Sequence, residues 1–108
     1  EFYILGYGGL AEDYPREGWV GRPLTVTMGI TNLEARASEY RVEVRNGETA
    51  IGEAGPIRLK RGATDEREIA FTPTEPGDDV QVQFLLYRDG GTQPYRSLRL
   101  WLKVRETK

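Results

Sequence analysis

Residues 24–31 alternate without interruption between apolar side chains and small or polar ones, in the order Leu-Thr-Val-Thr-Met-Gly-Ile-Thr. A period of two residues is typical of a β-strand that buries one face in a core and exposes the other to water. The same alternation recurs in three later runs, at Tyr40/Val42/Val44, at Val80/Val82/Phe84/Leu86 and at Leu98/Leu100/Leu102/Val104. Because no segment has a convincing helical period, these four runs predict a small all-β sandwich.

The chain is short and lacks both cysteine and histidine. Its 108 residues predict one domain, spanning residues 1–108, in which about two-thirds of the open chain's surface is buried on folding. The absence of cysteine excludes disulfides, thiolate nucleophiles and zinc–thiolate sites. The absence of histidine removes the usual general base and the commonest metal ligand. The sequence therefore predicts that the domain is not an enzyme and has no cofactor and no metal site.

The charges are nearly balanced, with 17 acidic and 15 basic side chains interspersed along the chain and a net charge of −2. Nucleic acid is not expected as a partner, because no basic stripe that neutralises phosphates is present. No apolar run approaches the roughly 20 residues of a membrane-spanning helix, and no signal peptide is recognisable. Since the chain also begins at Glu1 rather than at methionine, we expect it to be a domain excised from a longer protein.

Turn-forming residues divide the chain into seven or eight short strands. Asn46-Gly47 predicts a hairpin with a type I′ turn, because both residues tolerate the positive φ that this turn demands. Asp89-Gly90-Gly91 predicts the turn of the last hairpin. Strands in this number and at these spacings are typical of an immunoglobulin-like antiparallel β-sandwich. The predicted strands cover residues 2–5, 19–20, 24–32, 39–45, 57–59, 67–71, 80–87 and 95–105.

The last hairpin is patterned well enough for its strand register to be predicted. With the turn centred on Gly91, three pairs of apolar residues share the core face: Phe84 with Leu98, Val82 with Leu100 and Val80 with Leu102. Such a pairing leaves an opposite face that is unusually aromatic for one that contacts water. That face carries Gln81, Gln83, Leu85, Tyr87, Tyr95, Ser97, Arg99, Trp101 and Lys103.

Several segments resemble a known family: Phe2-Tyr3-Ile4-Leu5-Gly6, Ala11-Glu12-Asp13-Tyr14-Pro15, Phe71-Thr72-Pro73-Thr74, Phe84-Leu85-Leu86-Tyr87, and Pro94-Tyr95-Arg96-Ser97-Leu98 with Leu100-Trp101. Over nearly the whole chain they are similar to the soluble part of domain-of-unknown-function family sixteen-sixteen, a family of predicted membrane proteins. In that family transmembrane helices precede a β domain of this kind. The resemblance implies membrane tethering through the missing part of the parent chain, with this domain on the extracytoplasmic face of the cell membrane. It implies no catalytic residues, because none is established for the family.

A second resemblance is broader. Residues 20–26, Asn32 and the Phe-Thr-Pro and Pro-Gly elements of residues 71–77 are similar to immunoglobulin-like domains appended to prokaryotic envelope proteins. β-Sandwiches host unrelated activities, so this resemblance implies fold more than function. We expect a non-catalytic structural or protein-interaction module of a membrane-anchored protein, monomeric in isolation. Its expected partner is an unknown envelope protein or a glycan.

The outer face of the last hairpin is the best candidate for a ligand site. Aromatic rings offer apolar surfaces to sugar C–H groups, and amides and guanidinium groups supply hydrogen bonds. This pattern supports an alternative function, a carbohydrate-binding module. The opposing interpretation is that the segment 2–14 packs across this face and buries it. The candidate residues are Trp101, Tyr87, Tyr95, Gln81, Gln83 and Arg99.

Three further candidates have simpler structural explanations. The long connection 7–19 is either a binding loop or an aromatic-anchored cover for one end of the sandwich. Calcium binding is disfavoured, because the aspartates of the connections lack the Asp-x-Asp-x-Asp spacing. Glu66 and Glu68 share one strand face, as a hydrolase's carboxylates would, but their charged neighbours indicate a solvated strand edge. The aspartates of the connections are Asp13, Asp78, Asp79 and Asp89. The charged neighbours of Glu66 and Glu68 are Arg61, Asp65 and Arg67.

Overall fold

The computed structural model describes residues 1–6 and 14–106, and this part of the chain contains eight β-strands and no helix. The all-β class predicted from the alternating pattern is therefore confirmed. None of the described residues belongs to a helix with the length and hydropathy needed to cross a bilayer. The strands are β1 (Phe2–Leu5), β2 (Glu17–Trp19), β3 (Leu24–Thr31), β4 (Ser38–Asn46), β5 (Thr49–Leu59), β6 (Thr64–Phe71), β7 (Gly77–Arg88) and β8 (Arg96–Arg105).

The strands form two sheets that pack face to face. The small sheet has the order β1-β3-β6, and the large sheet has the order β2-β8-β7-β4-β5. Neighbouring strands are antiparallel except for β2, which runs parallel to β8. The first strand pairs with β3 at the edge of the small sheet. Phe2 and Ile4 of β1 are buried there in the core.

The predicted register of the last hairpin is confirmed. Phe84 lies opposite Leu98, Val82 opposite Leu100 and Val80 opposite Leu102. The hairpin turns through Asp89 and Gly90, which both have positive φ (50° and 73°), and the Gly91 N–H donates to the Arg88 carbonyl at 3.0 Å. Two positive φ angles inside one such hydrogen bond are the signature of a type I′ turn.

The turn predicted at Asn46-Gly47 differs in detail. Asn46 remains in the ladder opposite Thr49, so the two turn residues are Gly47 and Glu48. Of these two only Gly47 has a positive φ, at 62°. A single positive φ at the first turn position belongs to type II′ rather than type I′. The predicted turn was therefore wrong in type and displaced by one residue, because Asn46 pairs in the ladder instead of occupying a turn position.

The core lies between the two sheets and uses the inward-facing residues of both. Phe71 of β6 and Phe84 of β7 meet edge to face across the interface, with ring centroids 5.5 Å apart. Edge-to-face geometry places the positive rim of one ring against the negative face of the other. The other fully buried side chains around them are Met28, Ile30, Leu86, Leu102, Val42, Val44, Val82, Asn32 and Pro73.

Asn32 is the polar member of this buried set and connects several elements. Its Nδ2 donates to the carbonyls of Arg36 and Leu59, both at 2.9 Å. Its Oδ1 accepts from the Glu34 N–H and from the Tyr40 hydroxyl. A buried amide costs little when all of its hydrogen-bonding groups are paired. Asn32 therefore joins β3, the β3–β4 connection, β4 and the end of β5 at one end of the sandwich.

The edges of the two sheets approach each other beside β5 and β6. The Thr72 N–H donates to the Ile51 carbonyl at 3.0 Å, so one backbone hydrogen bond bridges the two sheets. Gly52 follows Ile51, and a Cβ placed on it would lie 2.4 Å from the Ala70 carbonyl oxygen. Only a residue without a side chain permits this approach of backbone to backbone.

Candidate functional site

The large sheet presents its outer face through β8, β7, β4 and β5. On this face Gln81 lies directly opposite Trp101, and Gln83 lies opposite Arg99. Tyr95 immediately precedes β8, and its N–H donates to the Leu86 carbonyl at 2.6 Å. The strand pairing therefore brings Gln81, Gln83, Arg99 and Trp101 onto neighbouring positions of one surface. Tyr87 and Tyr95 lie six residues away along the hairpin, about 20 Å from the pair of Gln81 and Trp101.

Trp101 is the candidate aromatic residue that is open to solvent. Its side chain is 53% exposed, whereas the preceding and following residues on β8, Leu100 and Leu102, contact the core. The strand alternation holds its backbone rigidly while its ring lies outside. Trp101 therefore offers an indole surface on an ordered strand, flanked by the half-buried amide of Gln81.

Tyr87 is on the same face but is only 5% exposed. The guanidinium carbon of Arg41, from the neighbouring strand β4, lies 4.0 Å from the centre of its ring. This distance is that of a cation–π contact. Arg41 also donates to the Gly91 carbonyl at 3.3 Å, which holds it in place. The face of the Tyr87 ring is therefore occupied by a guanidinium group of the protein itself.

Tyr95 is covered in a similar way. The guanidinium groups of Arg88 and Arg96 lie 4.4 Å and 4.3 Å from its ring centre. Its hydroxyl donates to Oε1 of Glu34 at 2.5 Å, and Arg88 forms an ion pair with the same oxygen. Tyr95 also packs against the core, so the prediction that it lies on the outer face with Trp101 was wrong. The three candidate aromatic residues therefore provide one open ring, that of Trp101.

A groove lies on the same outer face, where β4 and β5 lose regular pairing. The register of the two strands shifts between Tyr40 and Val42, opposite Gly55 and Pro56. The resulting groove has a volume of about 350 Å³. Its lining includes Tyr87 and Arg41 together with three carboxylates, those of Glu39, Glu43 and Glu53. None of the candidates taken from the sequence combines β4 with β5, so this groove was missed.

One pairing inside the groove is electrostatically unfavourable. Glu43 and Glu53 are directly opposite each other on neighbouring strands. Like charges in this position destabilise a sheet. Glu43 is relieved by Arg45, whose Nε lies 2.5 Å from its Oε1, and this contact raises the pKa of Arg45. Among the described residues Glu53 has no such partner.

Three of the four aspartates considered for calcium lie among the described residues. Asp78 and Asp79 are exposed near the start of β7. Asp89 lies in the turn after β7, where its Oδ1 accepts the Glu39 N–H at 2.9 Å. Within residues 1–6 and 14–106 no group of three acidic side chains is arranged to hold a metal ion. Asp13 lies outside the described residues.

Glu66 and Glu68 are exposed on β6, an edge strand of the small sheet, as predicted for a charged strand edge. Glu66 accepts a hydrogen bond from the Tyr3 hydroxyl at 2.7 Å. This bond raises the pKa of Tyr3 to about 12, with burial and the charge of Glu66 adding to the effect. The neighbouring Arg67 pairs with Asp65 at 2.7 Å. Glu66 therefore connects β6 to β1 through the Tyr3 hydroxyl, which is a structural contact.

The segment 2–14 was the expected cover for the aromatic face. Its first strand pairs in the small sheet, and Tyr14 contacts the core and donates from its hydroxyl to the Ile4 carbonyl at 3.1 Å. The described parts of this segment leave Trp101 exposed. Residues 7–13, which hold most of the proposed binding loop 7–19, lie outside the described residues.

Comparison with known proteins adds one match. The family described as "Domain of unknown function (DUF1616)" matches this chain over residues 1–103. The match includes β1 to β7 and most of β8. No curated protein was found to match the chain.

Proposed function

We propose, from the premise that this chain belongs to the DUF1616 family of domains of unknown function, that it is a non-catalytic module for structure or protein interaction. The module belongs to a membrane-anchored protein and stands on the extracytoplasmic face of the cell membrane. The membrane anchor and the location follow from the family resemblance described above. In this proposal the partner contacts the outer face of the large sheet around Trp101.

We assign the sandwich to the immunoglobulin-like type on the basis of its strand order. In immunoglobulin domains the first, second and fifth strands pair in one sheet, and the third pairs with the last two in the other. Setting β2 aside as an additional edge strand, the order β1-β3-β6 corresponds to the first sheet. The order β8-β7-β4-β5 corresponds to the second sheet with the added strand of variable-type domains.

The observation that carries the interaction function is the exposure of Trp101 on a face that it shares with Arg99. Tryptophan and arginine are among the residues that dominate the binding energy of protein interfaces, and the best anchors are held rigidly before binding. Trp101 is 53% exposed on a paired strand, and Arg99 is exposed two residues before it on the same face.

A photo-cross-linking amino acid at position 101 of the full-length parent protein, in its native cells, tests this proposal. We expect a discrete cross-linked protein from position 101 and none from the matched position 25, which is exposed on the small sheet. Equal products from both positions, or none from position 101, would overturn it. Location is tested in the parent protein with a Thr25→Cys variant and a membrane-impermeant maleimide on intact cells, since these 108 residues contain no cysteine. Labelling of the variant above the level of the unsubstituted parent supports the extracytoplasmic location, and labelling only after lysis contradicts it.

A carbohydrate-binding module is the second candidate, because the open ring of Trp101 is flanked by hydrogen-bonding side chains. Gln81 lies opposite Trp101, and Gln83 opposite Arg99. An NMR titration with cell-wall and surface-layer glycans tests this function through the indole N–H signals of the two tryptophans. The Trp101→Phe variant assigns the two signals. A saturable shift of the Trp101 signal supports sugar binding, and no shift contradicts it.

A further inference from the structure

The groove between β4 and β5 has no role in the function proposed above. We propose that it binds an arginine side chain of the partner protein, an inference that rests on the proposed interaction function. The groove is about 350 Å³, at the lower end of the range for small-ligand sites. This space is sufficient for one long side chain and its flanking backbone.

The electrostatics of the groove favour a cation. Three carboxylates, those of Glu39, Glu43 and Glu53, line it against the single guanidinium of Arg41. Arg41 is already engaged by the Tyr87 ring and the Gly91 carbonyl. Among the described residues neither Glu39 nor Glu53 is in an ion pair. An anionic or a purely apolar occupant would leave these carboxylates repelled or desolvated without a partner.

The pairing of Glu43 with Glu53 points more specifically to a bound cation. The two are directly opposite in the ladder, where like charges cost stability. A positive group placed between them converts this repulsion into two attractive contacts. Glu53 is exposed, so its carboxylate is accessible to a ligand from solvent.

The chemistry of the lining distinguishes an arginine side chain from a metal ion. An inorganic cation such as calcium requires six to eight oxygen ligands, and no group of three acidic side chains converges among the described residues. A guanidinium group instead forms bidentate hydrogen bonds with carboxylates. Its methylene groups would contact the apolar parts of the lining, which include Ala54, Pro56 and Tyr87.

An NMR titration of the isotope-labelled domain with Nα-acetyl-arginine amide tests this inference. The control ligand is Nα-acetyl-citrulline amide, which has the same shape without the charge. We expect saturable shifts of the backbone amides of residues 39–43 and 53–56 with arginine. Binding of citrulline is expected to be weaker by about ten-fold, because a charged hydrogen bond and the ion pairs are lost. Equal binding of the two ligands, or no saturable shift with arginine, would overturn the inference.

Variants locate the site. Glu53→Gln keeps the shape of the side chain and is expected to weaken arginine binding by about five-fold. Glu68→Gln removes an exposed glutamate from the small sheet and is expected to leave binding unchanged. An unaltered affinity in Glu53→Gln contradicts the proposed site. Trp101→Ala should bind arginine normally, so failure of the groove and failure of the cross-link at position 101 are independent outcomes.

Discussion

Oδ1 of Asn32 accepts a hydrogen bond from the Tyr40 hydroxyl at 2.9 Å, and both side chains are almost completely buried. Asn32→Ala leaves this hydroxyl without its partner and frees two backbone carbonyls. We expect it to cost about 3 kcal/mol of unfolding free energy. Tyr40→Phe costs about 1 kcal/mol, because Oδ1 still accepts the Glu34 N–H. Urea denaturation followed by tryptophan fluorescence measures both, and equal costs would contradict this assignment.

Alkaline pH should destabilise the fold through Tyr3. Its pKa is about 12 in the folded protein against an ordinary value of 10.0, because its hydroxyl donates to Glu66. The unfolded chain therefore loses this proton first, and stability that is fully present below pH 10 declines between pH 10 and 12. The free energy of unfolding should decline less steeply with pH across this window in Tyr3→Phe. In Glu66→Gln, the absorbance of tyrosinate should appear at lower pH; an unchanged titration would refute the role of Glu66.

Gly52 should be intolerant of any side chain. A Cβ on this residue meets the Ala70 carbonyl oxygen at 2.4 Å, and this backbone atom cannot rotate away. We expect Gly52→Ala to cost about 2 kcal/mol or more. Gly77→Ala is the matched control, because its nearest contact is the movable Cγ2 of Val80. Thermal unfolding compares the two variants, and similar melting temperatures would show that the edges separate easily.

Removing the charge of Glu53 should stabilise the isolated domain. Glu53→Gln relieves the repulsion from Glu43 across the ladder, and we expect a gain of about 0.5 kcal/mol in unfolding free energy. Glu68→Gln, whose ladder partner is Thr27, should show no such gain. The gain should diminish at high salt, because salt screens exposed charges. Chemical denaturation at two ionic strengths would detect it, and a loss of stability would contradict the repulsion.

Adjacent residues of β8 should differ in their effect on stability. Trp101→Ala removes a half-exposed ring and is expected to cost about 1 kcal/mol or less. Leu102→Ala leaves a cavity in the core and should cost about 3 kcal/mol. Denaturation followed by circular dichroism avoids the loss of the fluorescent group. A large cost for Trp101→Ala would mean that its ring is packed rather than available.

The sequence predicted the large-scale pairing of the last hairpin because two constraints coincide there. The period-two pattern assigns Phe84 and Leu98 to the core, and the glycine turn leaves one register in which both point inward. Such agreement is missing at Asn46-Gly47, where Asn46 is equally able to pair or to turn. Local residue preference could not decide between two turns displaced by one residue, and the ladder favoured pairing.

The outward orientation of Trp101 was predictable for the same reason, whereas the coverage of Tyr87 was not. Alternation alone places Trp101 outward, opposite Gln81. The coverage of Tyr87 depends instead on which strand lies beside β7, and only the folded sheet brings Arg41 of β4 there. The groove likewise arises from the interrupted pairing of β4 with β5, which has no signature in the hydrophobic pattern.

The interrupted pairing of β5 has a consequence for how such domains behave when crowded together. The exposed edge of a sheet is a template on which another chain can add a strand. Pro56 has no N–H to donate to an added strand, and the carbonyl of Ile51 already accepts a hydrogen bond from the Thr72 N–H. Neighbouring copies of the domain therefore find no continuous template along β5, and the domain resists polymerising into fibrils through this strand.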